Sequence, residues 1–188
     1  MNLQEQINRI HEMMGTNKTI KVYHISKSPI TKIDNRYLSK QTPRDKPEGL
    51  WFSYEPNTWK DFYFHDDGDY FTYEITIDTS NLIKLDSIEK INHFNEKYES
   101  HKSVFKQDED IIQEMYGMIW TSPDWIKVKK DYDGIEFPNF EELKNEIDFD
   151  DVKNQWLSFI DVNSGCIWNQ NSIIDFNEIY YESTRTNK

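Results

Sequence analysis

Apolar positions recur at every second residue over 70–77 (YFTYEITI), and β-branched or aromatic residues dominate 19–25 (TIKVYHI) and 49–54 (GLWFSY). The pattern predicts three strands, the third with one solvated face. Elsewhere the period changes. Leu3, Ile7, Ile10 and Met14 fall at helical spacing ahead of Gly15, which predicts a short amphipathic helix over 1–15 closed by a glycine cap. Such a stripe packs on its own domain or docks a partner, and both uses stay open. Helical spacing returns at 86–98 and 109–118, and Ser122-Pro123-Asp124 before Trp125 has the character of a helix start. Asp133-Gly134 turns into a short strand ending at Phe137, and 141–149 reads as an acidic helix or loop. Further strands are expected at 156–161, 165–168 and 177–181. Between the first two strands, the polar stretch 26–48 with its three prolines has the length of a functional loop. Strands dominate and helices are inserted late. The expected fold is α+β, a small split, two-layer, mainly antiparallel sheet rather than a doubly wound parallel one.

A chain of 188 residues suits one domain, taken as 16–188 behind the N-terminal helix. Its net charge of -12 opposes a non-specific grip on DNA or on an anionic membrane. Aromatic residues make up 15% of the chain, with only 6 Gly and 6 Pro, and that much ring surface excludes a disordered tail. The one cysteine, Cys166, can form neither an internal disulfide nor a thiolate zinc site, and its apolar surroundings mark it as a buried, inert thiol. No run approaches the roughly 20 apolar residues of a membrane span, and the first residues lack the apolar segment of a signal peptide. A cytoplasmic protein without membrane contact is expected. The absence of alanine beside abundant Asn, Lys, Ile and Tyr reads as an AT-rich coding bias, which with the size would suit a phage or bacterial conflict protein.

Within this acidic chain one segment is basic: residues 18–46 carry eight Lys or Arg against two Asp. It is either a solvated face or an anion site. Arg36, with a planar fork that takes phosphate oxygens in pairs, is the expected phosphate contact. His65-Asp66-Asp67-Gly68-Asp69 has metal-ligand residue types, but Asp-Gly between aromatic runs is hairpin chemistry, so no metal is expected. The chain has no Gly-rich phosphate loop, no His-Glu-x-x-His and no nucleophile elbow.

His24 stands inside an apolar strand, where a histidine serves either as a satisfied core residue or as a functional one. Trp51 and Trp59, eight residues apart, are expected to face one cleft with it. Tyr23-His24-Ile25-Ser26, then Gly49-Leu50-Trp51-Phe52-Ser53 with Trp59, then Ser164-Gly165-Cys166-Ile167-Trp168 running on to Ile173, resemble the three strand motifs of ADP-ribosyltransferases of the His-Tyr-Glu type, the group of diphtheria toxin and the poly(ADP-ribose) polymerases. The resemblance spans about residues 19–175.

It implies an ADP-ribosyltransferase type of sheet and NAD as substrate, held bent so that the nicotinamide–ribose bond breaks toward an oxocarbenium-like state. By resemblance His24 bonds the adenosine-side ribose, the Ile25 backbone pairs with the nicotinamide amide, Trp51 takes the tyrosine position, Trp59 is the second stacking aromatic, and Ser53 is the small residue of the slot. Tyr23, Ser26 and Phe52 belong to the same cofactor-binding motifs. The chain departs from the family at the acid, where Ser164 replaces glutamate. Asp161 and Glu136 are the carboxylates that could supply the missing charge. The implied activity is transfer of ADP-ribose to a macromolecular acceptor, a protein rather than a nucleic acid. The alternatives are an inactive NAD- or ADP-ribose-binding module, and a structural or interaction protein whose aromatics are core.

Overall fold

A computed structural model describes residues 19–38, 46–59, 69–100 and 122–183. Alternation makes the strands. In β1 (Thr19–Ser26) Val22 and His24 are buried on one face, and in β3 (Asp69–Asp78) Tyr73, Ile75 and Ile77 are their counterparts. Between them α1 (Asn35–Leu38) begins where Asp34 Oδ1 accepts the Tyr37 N–H at 3.0 Å, and β2 (Leu50–Ser53) follows. The later elements are β4 (Leu82–Lys84), α2 (Ile88–Tyr98), β5 (Glu99–Ser100), β6 (Ser122–Pro123) and α3 (Trp125–Asp131). After them come β7 (Gly134–Phe137), α4 (Phe140–Leu143), a 3₁₀ helix (Val152–Phe159), β8 (Ser164–Ile167) and β9 (Ile173–Ser183). The side chains of Ser87 and Asp124 cap α2 and α3, accepting the Lys90 and Lys127 N–H groups.

Seven strands form one sheet in the order β4-β7-β8-β2-β1-β3-β9, antiparallel throughout except for the pair β4–β7. β5 and β6 pair separately. The α+β, mainly antiparallel expectation is met, but the pairing runs continuously, so the expected split is reduced to a waist. β1 pairs with β3 from Thr19↔Asp78 to Ser26↔Phe71 and meets β2 in one pair, Tyr23↔Ser53.

The two faces of the sheet bury different cores. On one, Ile135, Phe137 and Cys166 pack under α2, α3, α4 and the 3₁₀ helix through Phe94, Val128, Phe140 and Trp156. On the other, Val22, Leu50, Phe52, Tyr73 and Ile167 lie under Ile30, Ile33 and Leu38 of the segment that follows β1. That segment is part of the expected basic loop. It is fastened by the Ile30 N–H donating to Tyr73 Oη at 2.7 Å, and by Asn35 and Gln170 exchanging backbone-to-side-chain hydrogen bonds.

Residues 156–161 are not a strand. Asp151 caps a 3₁₀ turn there by accepting the Lys153 N–H, and the turn runs on to Phe159, burying the neighbours Trp156 and Leu157. Helix 1–15, helix 109–118 and the turn at 65–68 fall outside the described residues. Among the described residues no helix is long and apolar enough to cross a membrane.

Close approach at Gly165 locks the junction of β2, β7 and β8. A Cβ there would meet Phe52 Cζ at 2.3 Å and the Ile135 carbonyl oxygen at 2.7 Å. Phe52 is fully buried and has no room to yield. Gly165→Ala is therefore expected to cost roughly 1–3 kcal/mol, by overpacking. A thermal melt lowered by several degrees checks this, and an unchanged melt contradicts it.

Candidate functional site

The three motif strands are neighbours. β2 lies between β1 and β8, with Ser53 paired to Tyr23 on one side and to Ser164 on the other. Tyr23, Ser53 and Ser164 thus form one row across the sheet, followed by Phe137 on β7. Ser53 and Ser164 are each 2% exposed. Their hydroxyls are engaged locally, Ser53 donating to the Glu55 carbonyl at 2.8 Å and Ser164 to the Val162 carbonyl at 2.9 Å.

His24 fills the waist. Its Nδ1 lies 2.7 Å from the Trp51 carbonyl oxygen. A carbonyl only accepts, so Nδ1 carries the proton and Nε2 presents a lone pair. Burial lowers the imidazole to about 4, against a weaker upward pull from this bond, so the ring is neutral at pH 7.

The expected shared cleft of His24 and Trp51 is corrected by the register. His24 alternates with Val22 and pairs with Tyr73, on the face of the second core, whereas Trp51 pairs with Cys166 and packs against the first. The two residues meet through the Trp51 backbone. Its half-buried indole donates to the Pro47 carbonyl at 3.3 Å, and Lys46 Nζ stands 5.0 Å from the ring centroid, within cation–π range. Burial lowers the Lys46 ammonium, and the nearby Asp161 carboxylate opposes that shift.

The two candidate carboxylates separate in the same way. Asp161 is exposed and lies toward Lys46, on the Trp51 side. Glu136 pairs with Gly165 on the opposite face, buried, and its Oε2 accepts the Tyr54 hydroxyl at 3.1 Å. Ile25 is buried, and Ser26 closes a turn by donating to the Ser28 carbonyl at 2.7 Å. Phe52 is wholly buried and set edge-on to Tyr54, which makes it core rather than slot. Trp59 lies in the turn after β2, half-buried. Arg36 is exposed on α1, in the segment that covers the opposite face from the Trp51 indole.

The basic residue beside the tryptophan is therefore Lys46 rather than the expected Arg36. Its signal was there, as the last cation of the basic run before the Gly49 strand. Cys166 is fully buried and burial pushes its thiol up, so it is inert as expected. Among the described residues no cluster of His, Cys, Asp or Glu could hold a metal ion. The chain matches no family model, no curated protein and no solved structure.

The buried imidazole makes stability depend on pH. Below pH 6.5 the unfolded chain binds a proton that folded His24 refuses until about pH 4, so its contribution is complete above pH 6.5 and is lost as pH falls through that window. Between pH 7 and pH 4.5 wild type is expected to lose about 2–3 kcal/mol more than His24→Gln, from roughly two pH units of unequal protonation. Denaturant titrations at the two pH values check this, and equal losses in both proteins contradict it.

Proposed function

We propose that the protein binds NAD at the β1–β2–β8 junction and transfers its ADP-ribose to a protein acceptor. The observation that carries this reading is the contiguity of the three motif strands, which sets Tyr23, Ser53 and Ser164 in one row with Trp51 on the same face of β2. In the reaction the nicotinamide–ribose bond breaks, nicotinamide leaves with the electron pair, and a nucleophile of the acceptor bonds to the ribose carbon and gives up its proton. Positive charge develops on the ribose, and a carboxylate aimed at it is the largest single aid available. Asp161 takes that role, because it lies on the Trp51 side while Glu136 faces the other core. Lys46 meets the pyrophosphate in place of Arg36. His24 acts as a positioning residue, holding the β2 backbone at Trp51 through its carbonyl.

A second reading, a module that binds NAD or ADP-ribose without cleaving it, is favoured by one observation. The Ser164 hydroxyl, at the acid position of the motif, is buried and committed to the Val162 carbonyl.

Both readings expect millimolar NAD or nicotinamide to raise the melting temperature, since a ligand of the folded state stabilises it by mass action. An unchanged melt with either compound overturns both. For the transferase, Asp161→Asn is expected to lower NAD cleavage by about 10²–10³-fold with binding retained. His24→Ala lowers kcat, and His24→Gln, which keeps a donor for the Trp51 carbonyl, restores part of it. NAD binding with no cleavage against a whole-cell lysate selects the binding module.

A further inference from the structure

β9 closes the sheet at one end and, among the described residues, has β3 as its one neighbour. A strand in that place offers a row of backbone N–H and C=O groups to another chain, and proteins commonly blunt such an edge by keeping it short or covering it. β9 is neither short nor covered. It runs for 11 residues, and along 174–179 every residue but Phe176 is exposed, Ile174 to 58% and Ile179 to 49%. Its register with β3 slips twice, and the residues inserted at the slips are these two isoleucines. Between them Asp175, Phe176, Asn177 and Glu178 pair without a break with Thr76, Ile75, Glu74 and Tyr73.

The charge at this edge has one sign. β9 carries Asp175, Glu178 and Glu182, β3 carries Asp69, Glu74 and Asp78, and neither strand has a Lys, Arg or His. Glu74 is paired with Lys21 of β1 at 2.8 Å. Asp175 and Glu178 accept hydrogen bonds from neutral donors, the Asn177 amide at 2.8 Å and the Tyr73 hydroxyl at 3.4 Å. Successive strand positions alternate between the two faces, so these two exposed carboxylates, three residues apart in unbroken register, stand on opposite sides of the edge. A second copy docking edge to edge would set acid against acid, in a chain whose net charge is already -12.

We infer that β9 is a docking edge for an extended, lysine- or arginine-bearing segment of a partner protein, which joins the sheet as a further strand. Main-chain hydrogen bonds to the β9 edge hold the segment, and its side chains select it. Cations on its two faces meet Asp175 and Glu178, and apolar residues outside them cover Ile179 and Ile174. A rounded basic surface would meet the carboxylates and leave the strand edge unused. An uncharged strand would leave the carboxylates without a counter-charge. β3 separates this edge from the proposed NAD junction, and either can fail without the other.

Amide NMR spectra of the full chain, titrated to millimolar concentration with three capped peptides, test it. The probe is Thr-Val-Lys-Thr-Thr-Lys-Val-Thr, which sets lysines and valines at the required spacing in either strand direction. One control replaces both lysines by glutamate, and the other replaces the two central threonines by proline, which keeps the charge and removes strand pairing. The lysine peptide is expected to shift the amides of 173–179 and to slow their hydrogen exchange, and both controls to bind at least about tenfold more weakly. In Asp175→Lys/Glu178→Gln, where glutamine keeps an acceptor for the Tyr73 hydroxyl, the preference is expected to pass from the lysine to the glutamate peptide, a gain that misfolding could not mimic. No binding of the lysine peptide, shifts centred away from β9, equal binding of the proline peptide, or an unchanged preference in the variant would each overturn the assignment.

Discussion

A backbone carbonyl left without a partner away from water is costly, and at the waist of this sheet, where β1 and β2 share only the pair Tyr23↔Ser53, the Trp51 carbonyl has a side-chain partner. That partner is the His24 imidazole, 2.7 Å away. The bond requires a proton on Nδ1, and burial keeps the ring neutral. It joins β1 and β3 to the half of the sheet built from β2, β8 and β7, and so fixes how the two halves meet. Phe52, Gly165 and Ile135 then set the close approach within the second half, where no further side-chain atom fits.

From this constraint follows the division of labour at the junction. The Trp51 backbone is held from the β1 side, while its indole is turned to the opposite face with Lys46 above it and Asp161 nearby. A neutral, buried histidine is suited to orienting a strand and unsuited to exchanging protons at pH 7. The charge on the Trp51 side is carried by the exposed Asp161 carboxylate and the half-buried Lys46 ammonium. Glu136, tied to Tyr54 over the other core, contributes to packing there.

The strands at the start of the chain were legible because their covered faces repeat with period two, α2 because its apolar positions recur at helical spacing, and α3 because Ser122-Pro123-Asp124 announces it. Neighbouring Trp156 and Leu157 look equally apolar in a strand or a 3₁₀ turn, and the Asp151 cap decided between them. β4 is three residues long and takes its identity from parallel pairing with β7, a contact no local pattern encodes. The faces of His24 and Trp51 were not legible for the same reason. Alternation orders side chains within one strand, but which face of β2 matches which face of β1 is set by register across the sheet. Likewise Arg36 lies nearer His24 in sequence than Lys46 does, yet folding places Lys46 beside the tryptophan.

The protonation pattern of His24 tests the central claim most directly. Nitrogen-15 NMR of the full chain, with the His24 signals assigned by their loss in His24→Gln, reads each ring nitrogen separately. At pH 7 the His24–Trp51 bond requires a neutral ring with the proton on Nδ1 and a bare Nε2, a state that burial should preserve well below pH 6.5. A proton on Nε2 alone, or on both nitrogens at pH 7, would contradict it.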